Sequence, residues 1–180
     1  MAARTLPTAP TWSANQEITS TQLNQISAYL QFWANPPSFR AEQHVTQSFP
    51  NNATTQVTCE TPIHDSDSGL SATAPYSYVV PFAGVWDFFG GAGLATATAG
   101  LRIVAITQNG STLDGAGAVY AQAADPGVFY INAPQIICNV GDVIGLTLYQ
   151  NSGAAVNSPG TSYGPQWSWF SGCLRSLQTP

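Results

Sequence analysis

The stretch that decides the fold is residues 81–89, which read Pro81-Phe82-Ala83-Gly84-Val85-Trp86-Asp87-Phe88-Phe89. In an extended chain Trp86 and Phe88 point to one side, and the residues that alternate with them point to the other. This alternation predicts a β-strand over residues 84–89. Large apolar side chains on both of its faces predict that the strand is covered on both sides. We therefore expect it to lie inside a two-layer β domain.

A hairpin signal follows this strand. After the glycine-rich residues 90–93, a second apolar run at 101–107 is closed by Asn109-Gly110. Asn and Gly both tolerate the positive φ of a tight turn, so the pair after β-branched residues predicts a β-hairpin. The middle of the chain is thus predicted to consist of paired antiparallel strands.

Turn residues divide the remainder of the chain into further short β segments. The other predicted strands are Glu42–Phe49, Thr54–Thr61, Tyr76–Phe82, Gly117–Gln122, Val128–Cys138, Val143–Gln150 and Trp167–Leu177. Between them we expect a polar loop at His64–Gly69 and a long loop at Asn151–Pro165. About eight to ten short strands with regular turn signals are typical of a sandwich or jelly roll. The predicted fold is therefore an all-β, antiparallel two-sheet head domain over residues 38–180.

Residues 1–37 are predicted to form a separate arm and helix. Residues 1–14 are rich in Pro, Thr and Ala, and they contain a lone Trp12. We interpret them as an extended arm without a core. Because an isolated indole gains nothing in solvent, we expect Trp12 to lie along a neighbouring subunit.

The helix is predicted from a Thr-x-x-Gln capping box at Thr19 and from Asn35-Pro36-Pro37, which ends it. Its apolar residues recur at helical spacing as one stripe: Leu23, Ile26, Leu30 and Trp33. One interpretation is that this stripe packs on the β domain of the same chain. The other is that it docks on a partner or on symmetry mates and anchors an assembly.

The charge content excludes several classes of partner. Charged residues make up 7% of the 180 residues, against an average of about 25%. Four scattered arginines and no lysine cannot form the basic stripe that nucleic acid binding needs, nor hold the protein on an anionic membrane. The low charge instead predicts an obligate oligomer, because buried subunit interfaces are depleted of charge. A low-charge surface suited to weak contacts is the alternative.

No run of apolar residues is long enough to span a membrane, and the amino terminus lacks the apolar core of a signal peptide. We expect synthesis in the cytoplasm without the usual export. Cys59, Cys138 and Cys173 are far apart and odd in number, which predicts buried, reduced thiols and neither disulfides nor a structural zinc site.

The sequence offers little for catalysis. His44 and His64 are the only imidazoles, and no nucleophile elbow, phosphate loop or zinc-protease helix is present. Asp65, Asp67 and Gly69 could be drawn as a calcium loop, but two carboxylates make a weak site, so we predict a solvated polar loop. We expect no cofactor, no metal and no enzymatic activity. Paired carboxylates that hydrolyse a surface polymer remain a third alternative.

Four segments together resemble the jelly-roll heads of tumour necrosis factor and complement, in the order of that family. They are Tyr76–Phe89, Leu101–Leu113, Val140–Leu146 and the closing Phe170-Ser171-Gly172-Cys173-Leu174. The resemblance covers roughly residues 40–178. It implies that Phe170, Gly172 and Leu174 face the core, and that most such proteins are binding or scaffolding modules.

The resemblance also implies that heads of this fold associate as tight trimers through one flat, aromatic side. Tyr120, Tyr149 and Trp169 are the candidates for that side. Ordinary packing of these aromatic residues in the core is the alternative.

The amino-terminal segment has a second resemblance. The sequence Trp12, Glu17-Ile18-Thr19, Leu23-Asn24 and the ending Asn35-Pro36-Pro37 is similar to the start of structural proteins of tailed bacteriophages of actinobacteria. This resemblance implies a homotrimeric protein on the virion surface, made in the host cytoplasm and attached to other virion proteins by its arm. Capsid decoration is the first hypothesis, and a minor tail protein whose head binds a host receptor or glycan is the alternative.

Overall fold

The computed structural model describes residues 4–95, 99–120, 127–159 and 168–177. Within these residues the chain forms one helix, α1 (Ser20–Ala34), and twelve strands. The strands are β1 (Ser38–Glu42), β2 (Ser48–Phe49), β3 (Ala53–Gln56), β4 (Thr61–Asp65), β5 (Tyr78–Val79), β6 (Gly84–Leu94), β7 (Arg102–Gln108), β8 (Ser111–Tyr120), β9 (Gly127–Cys138), β10 (Val143–Gln150), β11 (Val156–Asn157) and β12 (Trp169–Leu177).

The strands form two antiparallel layers. The first sheet has the order β4-β1-β12-β6-β9, and the second has the order β3-β10-β7-β8 with β5 also paired to β10. Strands β11 and β2 form a separate short pair. The prediction of an all-β, antiparallel two-sheet jelly roll with one helix is confirmed.

Strand β6 lies in the middle of the first sheet, between β12 and β9. Trp86 and Phe88 have no exposed surface, as their alternation predicted. The predicted end of this strand at Phe89 is wrong, because β6 runs through the glycines to Leu94. A Cβ at Gly90 would lie 2.7 Å from Leu146 Cδ1, so glycine there allows close packing and does not end the strand.

The predicted hairpin is confirmed. Asn109 has φ 53° and Gly110 has φ 81°, and the flanking Gln108 and Ser111 are paired. Two positive φ angles at the centre of a two-residue loop match the twist of the strands on either side. Strand β8 begins at Ser111, directly after the turn, and not at Gly117 as predicted.

Two predicted strands are interrupted in the structure. The predicted run Glu42–Phe49 divides into β1 and β2, and Thr54–Thr61 divides into β3 and the start of β4. Side chains replace strand partners in these breaks, since Glu60 Oε1 accepts the backbone N–H groups of His44 and Val45. Local side-chain bonds of this kind compete with sheet pairing.

The core is a set of aromatic rings between the two layers. Phe39 stacks on Tyr78 at 3.9 Å and meets Phe170 edge-on at 4.9 Å. A Cβ at Gly172 would lie 2.6 Å from a carbon of the Phe88 ring and 2.7 Å from one of the Phe39 ring. The predicted core positions Phe170 and Leu174 are buried with it, at 1% and 3% exposure.

We expect Gly172→Ala to lower the free energy of unfolding by about 1–3 kcal/mol, because the added methyl group overpacks the rings of Phe39 and Phe88. Gly117→Ala is the matched control, since Gly117 has no atom within 4 Å of an added Cβ and no positive φ. Urea denaturation of both variants measures the difference. Equal midpoints for the two variants would contradict this account of the core.

Candidate interaction surfaces

The capping of α1 is as predicted. The Thr19 side chain accepts the N–H of Gln22, and the Gln22 side chain accepts the N–H of Thr19. The helix ends at Ala34, with Asn35 as its C-cap, before the two prolines. These ends place the last turn of α1 directly before β1.

The helix contacts the head mainly through Phe32, and not through the whole predicted stripe. Phe32 is buried, and its ring meets that of Phe82 edge-on at 5.4 Å. Ile26 and Trp33 are half-buried, whereas Leu23 and Leu30 are 54% and 63% exposed. The stripe is therefore divided, because the buried residues of the helix are Phe32, which contacts Phe82 of the head, and Gln22, which contacts Thr11 of the arm.

The amino-terminal segment leaves large apolar side chains uncovered. We define the anchor residues as those of this segment that are at least half exposed and large: Trp12, Ile18, Leu23 and Leu30. Exposed apolar side chains that gather in one segment indicate a contact surface.

The arm lies on α1 of its own chain, and its expected contact with a neighbouring subunit stays a prediction. Gln22 Nε2 donates to Thr11 O at 3.1 Å, and Arg4 forms a salt bridge with Asp67. Trp12 remains 52% exposed in this arrangement. The arm contacts its own chain because Gln22 and Asp67 present buried polar atoms that bond to Thr11 and Arg4.

An aromatic patch lies on the outer face of the first sheet. Register places Gly91 beside Trp169 on one side and Tyr130 on the other. A Cβ at Gly91 would lie 2.8 Å from Trp169 Nε1, 3.1 Å from Val128 and 3.2 Å from Tyr130. These three side chains therefore converge over a glycine, and we call them, with Gly91, the sheet patch.

A charge pair borders the sheet patch. The Arg40 guanidinium lies over the Trp169 ring at 5.0 Å, and it donates to Glu42 Oε1 at 2.9 Å. A cation over an indole that is also paired to a carboxylate holds the ring in one orientation. The patch is thus apolar at its centre and neutralised at this edge.

The three predicted interface residues are not brought together. Trp169 belongs to the sheet patch, but Tyr149 lies on the outer face of the second sheet, where it lines a shallow cavity of about 260 Å³ with Thr54, Ile103 and Thr147. The side chain of Tyr120 lies outside what the structure describes. One flat face cannot include both Trp169 and Tyr149, so only one of them can belong to a single-face contact.

Tyr130 and Val128 were not among the predicted interface residues. Their signal was present in β9, where Phe129, Ile131 and Ala133 are buried and the alternate residues face outward. The sequence alone does not reveal the strand register that places Tyr130 beside Gly91 and Trp169.

The polar segment predicted at His64–Gly69 is organised by one carboxylate. Strand β4 includes His64 and Asp65, which were predicted to be loop residues. The Asp65 carboxylate accepts the backbone N–H groups of Asp67, Gly69 and Leu70 and so holds the turn. Within residues 4–95, 99–120, 127–159 and 168–177, no three His, Cys, Asp or Glu side chains are grouped to hold a metal ion.

The cysteines are free thiols. Cys59 and Cys138 are buried and Cys173 is half-buried. Burial raises the pKa of Cys59 and of Cys138 to about 12. Of the described part of the chain we also note that its helix lacks the length and apolar character needed to cross a membrane.

Comparison with solved structures identifies the fold. No protein-family model matches the chain, and no curated protein sequence does. The structure is similar to the globular domain of zebrafish complement 1qA protein, with a TM-score of 0.53 and 11% identity over 79% of this chain and 99% of that one. It is also similar to murine APRIL at pH 5.0, with a TM-score of 0.57 and 14% identity over 78% and 100% of the two chains.

A second structure of murine APRIL, at pH 8.5, gives a TM-score of 0.53 with 14% identity over 77% of this chain and 98% of that one. The head is therefore a jelly roll like those of tumour necrosis factor and complement C1q. At these identities the likeness shows the fold alone.

The two sheet faces can be distinguished by placing a charge on each. We expect subunits to associate through the sheet patch, where aromatic side chains converge, and we expect Tyr130→Asp to prevent this association. Tyr149→Asp places the same charge on the opposite sheet and should leave association unchanged. Sedimentation velocity reports the size of each variant, and circular dichroism verifies that both are folded. The reverse outcome would move the contact to the second sheet.

Proposed function

We propose that this chain is a non-enzymatic structural protein of a virion. Three jelly-roll heads associate through the sheet patch, and the amino-terminal segments attach them to the capsid of a tailed bacteriophage. The observation that carries the proposal is the exposure of the anchor residues, two of which, Leu23 and Leu30, lie on a capped, well-formed helix. A helix that only packed on its own head would bury Leu23 and Leu30, and these are its most exposed large side chains.

The geometry of the first sheet supports this division of roles. Strand β1 starts at Ser38, next to the helix, and runs to Glu42, which pairs with Trp169. At about 3.3 Å per residue, the two ends of β1 are about 13 Å apart. The helix and Trp169 thus lie toward opposite ends of this strand. Contact between heads through the sheet patch leaves the helices free to reach another surface.

Attachment by three segments at once also suits a decoration role. Each segment offers only a few apolar side chains, which is a weak contact by itself. Linking three of them raises the apparent affinity strongly, because the second and third contacts form within one complex. The heads would then bridge neighbouring capsid subunits and stabilise the shell.

The alternative within the virion is a tail appendage whose head binds a host receptor or glycan. Its support is the pair of aromatic rings in the sheet patch, since Tyr130 is 55% exposed. The expected binding loop at Asn151–Pro165 is described only to residue 159, so its aromatic Tyr163 lies outside the described residues. Electron microscopy of labelled protein on virions separates the two roles by showing it on the capsid or on the tail.

The anchor can be tested by the double variant Leu23→Asp and Leu30→Asp. We expect its incorporation into particles to fall by roughly tenfold or more, since charges are depleted from the cores of interfaces and central contacts carry most of the binding energy. Its thermal stability should change little, because both side chains are exposed. Incorporation is measured as protein per purified particle.

Thr21→Asp combined with Asn24→Asp is the matched control, as both residues are exposed on the same helix and the net charge is identical. This control should incorporate normally. Equal incorporation of both double variants would show that the helix does not anchor the protein. Unfolding of the Leu variant alone would show that the stripe belongs to the core of the head.

A further inference from the structure

Arg4 is the point at which the arm is fastened to the head. Its Nε donates to Asp67 Oδ1 at 2.8 Å, and its Nη2 donates to Asp67 Oδ2 at 2.7 Å. The Asp67 side chain is fully buried, whereas that of Arg4 is 26% exposed. A bidentate pair to a buried carboxylate is a strong and directional contact, unlike an ordinary surface ion pair.

The site that receives Arg4 is built by the head without the arm. Asp65 holds the turn by accepting three backbone N–H groups, and Ser66 Oγ donates to Asp67 Oδ2 at 2.6 Å. The hydroxyl of Tyr78, a core residue close enough to interact electrostatically with Asp67 and Arg4, is buried without a hydrogen-bond partner among the described residues. The carboxylate is therefore positioned by residues of the head as well as by Arg4.

The arm is otherwise loosely packed. Between Arg4, Thr5 and Pro7 on one side and the helix residues Ala28, Gln31 and Phe32 on the other lies an open groove of about 660 Å³. Within residues 4–19, only Arg4, Pro7 and Pro10 are partly buried. Residues 11–19 are all exposed. The Arg4 guanidinium also lies 5.4 Å from the Phe32 ring centre and donates to Asn35 O, so one side chain bridges arm, helix and head.

We propose that the N-terminal arm is a detachable strap, which the Arg4–Asp67 pair closes on the protein's own helix before assembly and which opens when the protein joins its particle. The closed strap covers the Phe32 side of α1 and holds residues 4–10 against the protein's own helix. Opening frees the arm and that side of the helix for the attachment proposed above, on which this second step rests.

Acid alone is a poor trigger for opening. Burial works against the charged form of Asp67, but hydrogen bonds from Arg4 and Ser66 outweigh it and hold its pKa below the ordinary value. The other titratable groups that act on this region are Asp65 and Tyr78. Because the pKa of Asp67 is lowered in the folded state, the Arg4–Asp67 pair stabilises closure fully above about pH 4. This stabilisation is lost only as the pH falls through the lowered pKa. At neutral pH a competing partner, and not protonation, must open the strap.

Trypsin provides a direct test, because the sequence has no lysine and Arg4 is one of only four cleavage sites. Cleavage of the Arg4–Thr5 bond requires the Arg4 side chain to leave Asp67 and enter the protease. In the wild-type protein this bond should be cut slowly. In Asp67→Asn, which preserves the shape of the site but removes its charge, cleavage should be faster by roughly tenfold or more, since proteolysis follows the population of the open form. Mass spectrometry detects the loss of residues 1–4.

Asp87→Asn is the matched control, because Asp87 is also a carboxylate of low exposure paired to an arginine, Arg175. It should leave the Arg4–Thr5 rate unchanged. Cleavage after Arg40 and Arg102 must stay slow in every variant, which shows that the head remains folded. If wild type and Asp67→Asn are cut at Arg4 at the same rate, the strap is not closed by this pair and the proposal is wrong.

Uptake by particles that lack this protein tests the second step. Asp67→Asn, whose strap is open, should be incorporated faster than the wild-type protein. Slower or equal uptake would contradict a restraining role for the strap. If neither protein is incorporated at all, the proposed virion role is wrong, while the trypsin rates still decide whether the strap exists.

Discussion

The structure depends on how closely aromatic rings approach the backbone of two neighbouring strands, β6 and β12. Inside the head, Gly172 leaves room for the rings of Phe39 and Phe88. On the outer face of the same sheet, Gly91 leaves room for Trp169. Glycine at these positions has no side chain to pack, and this absence lets the aromatic rings contact the backbone directly. The pair β6–β12 thereby carries aromatic surface on both faces, one for the core and one for the sheet patch.

Three of the four arginines are paired within the chain, and the fourth is buried. Arg4, Arg40 and Arg175 pair with Asp67, Glu42 and Asp87, and Arg102 is 1% exposed. Arginines committed in this way fix segments to one another and add little to the hydration of the surface. A surface with so few free charges remains soluble most readily when part of it is covered by another copy. The low charge and the sheet patch therefore lead to the same conclusion about association.

Features set by neighbouring residues could be predicted from the sequence. The Asn109-Gly110 turn follows from the positive φ that these residues tolerate, and the capping box at Thr19 follows from bonds three residues apart. The turn residues on either side of Val143–Gln150 likewise predicted the observed bounds of β10. Each of these signals is complete within a few residues, so no knowledge of the fold was needed to interpret it.

Features set by distant residues could not be predicted. The glycine-rich residues 90–93 predict a break in the strand, because nothing local reveals that Leu146 lies against Gly90 and Trp169 against Gly91. The division of the helix stripe depends on where Phe82 lies, fifty residues after Phe32. The partner of Arg4 is sixty-three residues away along the chain. Register and long-range pairing, which decide both surfaces, are properties of the folded chain.

We propose that each low-charge head covers its sheet patch with two further copies of itself. Native mass spectrometry of the purified full-length protein tests this claim most directly. We expect a single dominant species of three times the 18.9 kDa of one chain, unchanged on dilution into the nanomolar range. A stable monomer that stays soluble at high concentration would contradict the claim, because it would show that the sheet patch and the low charge need no covering partner.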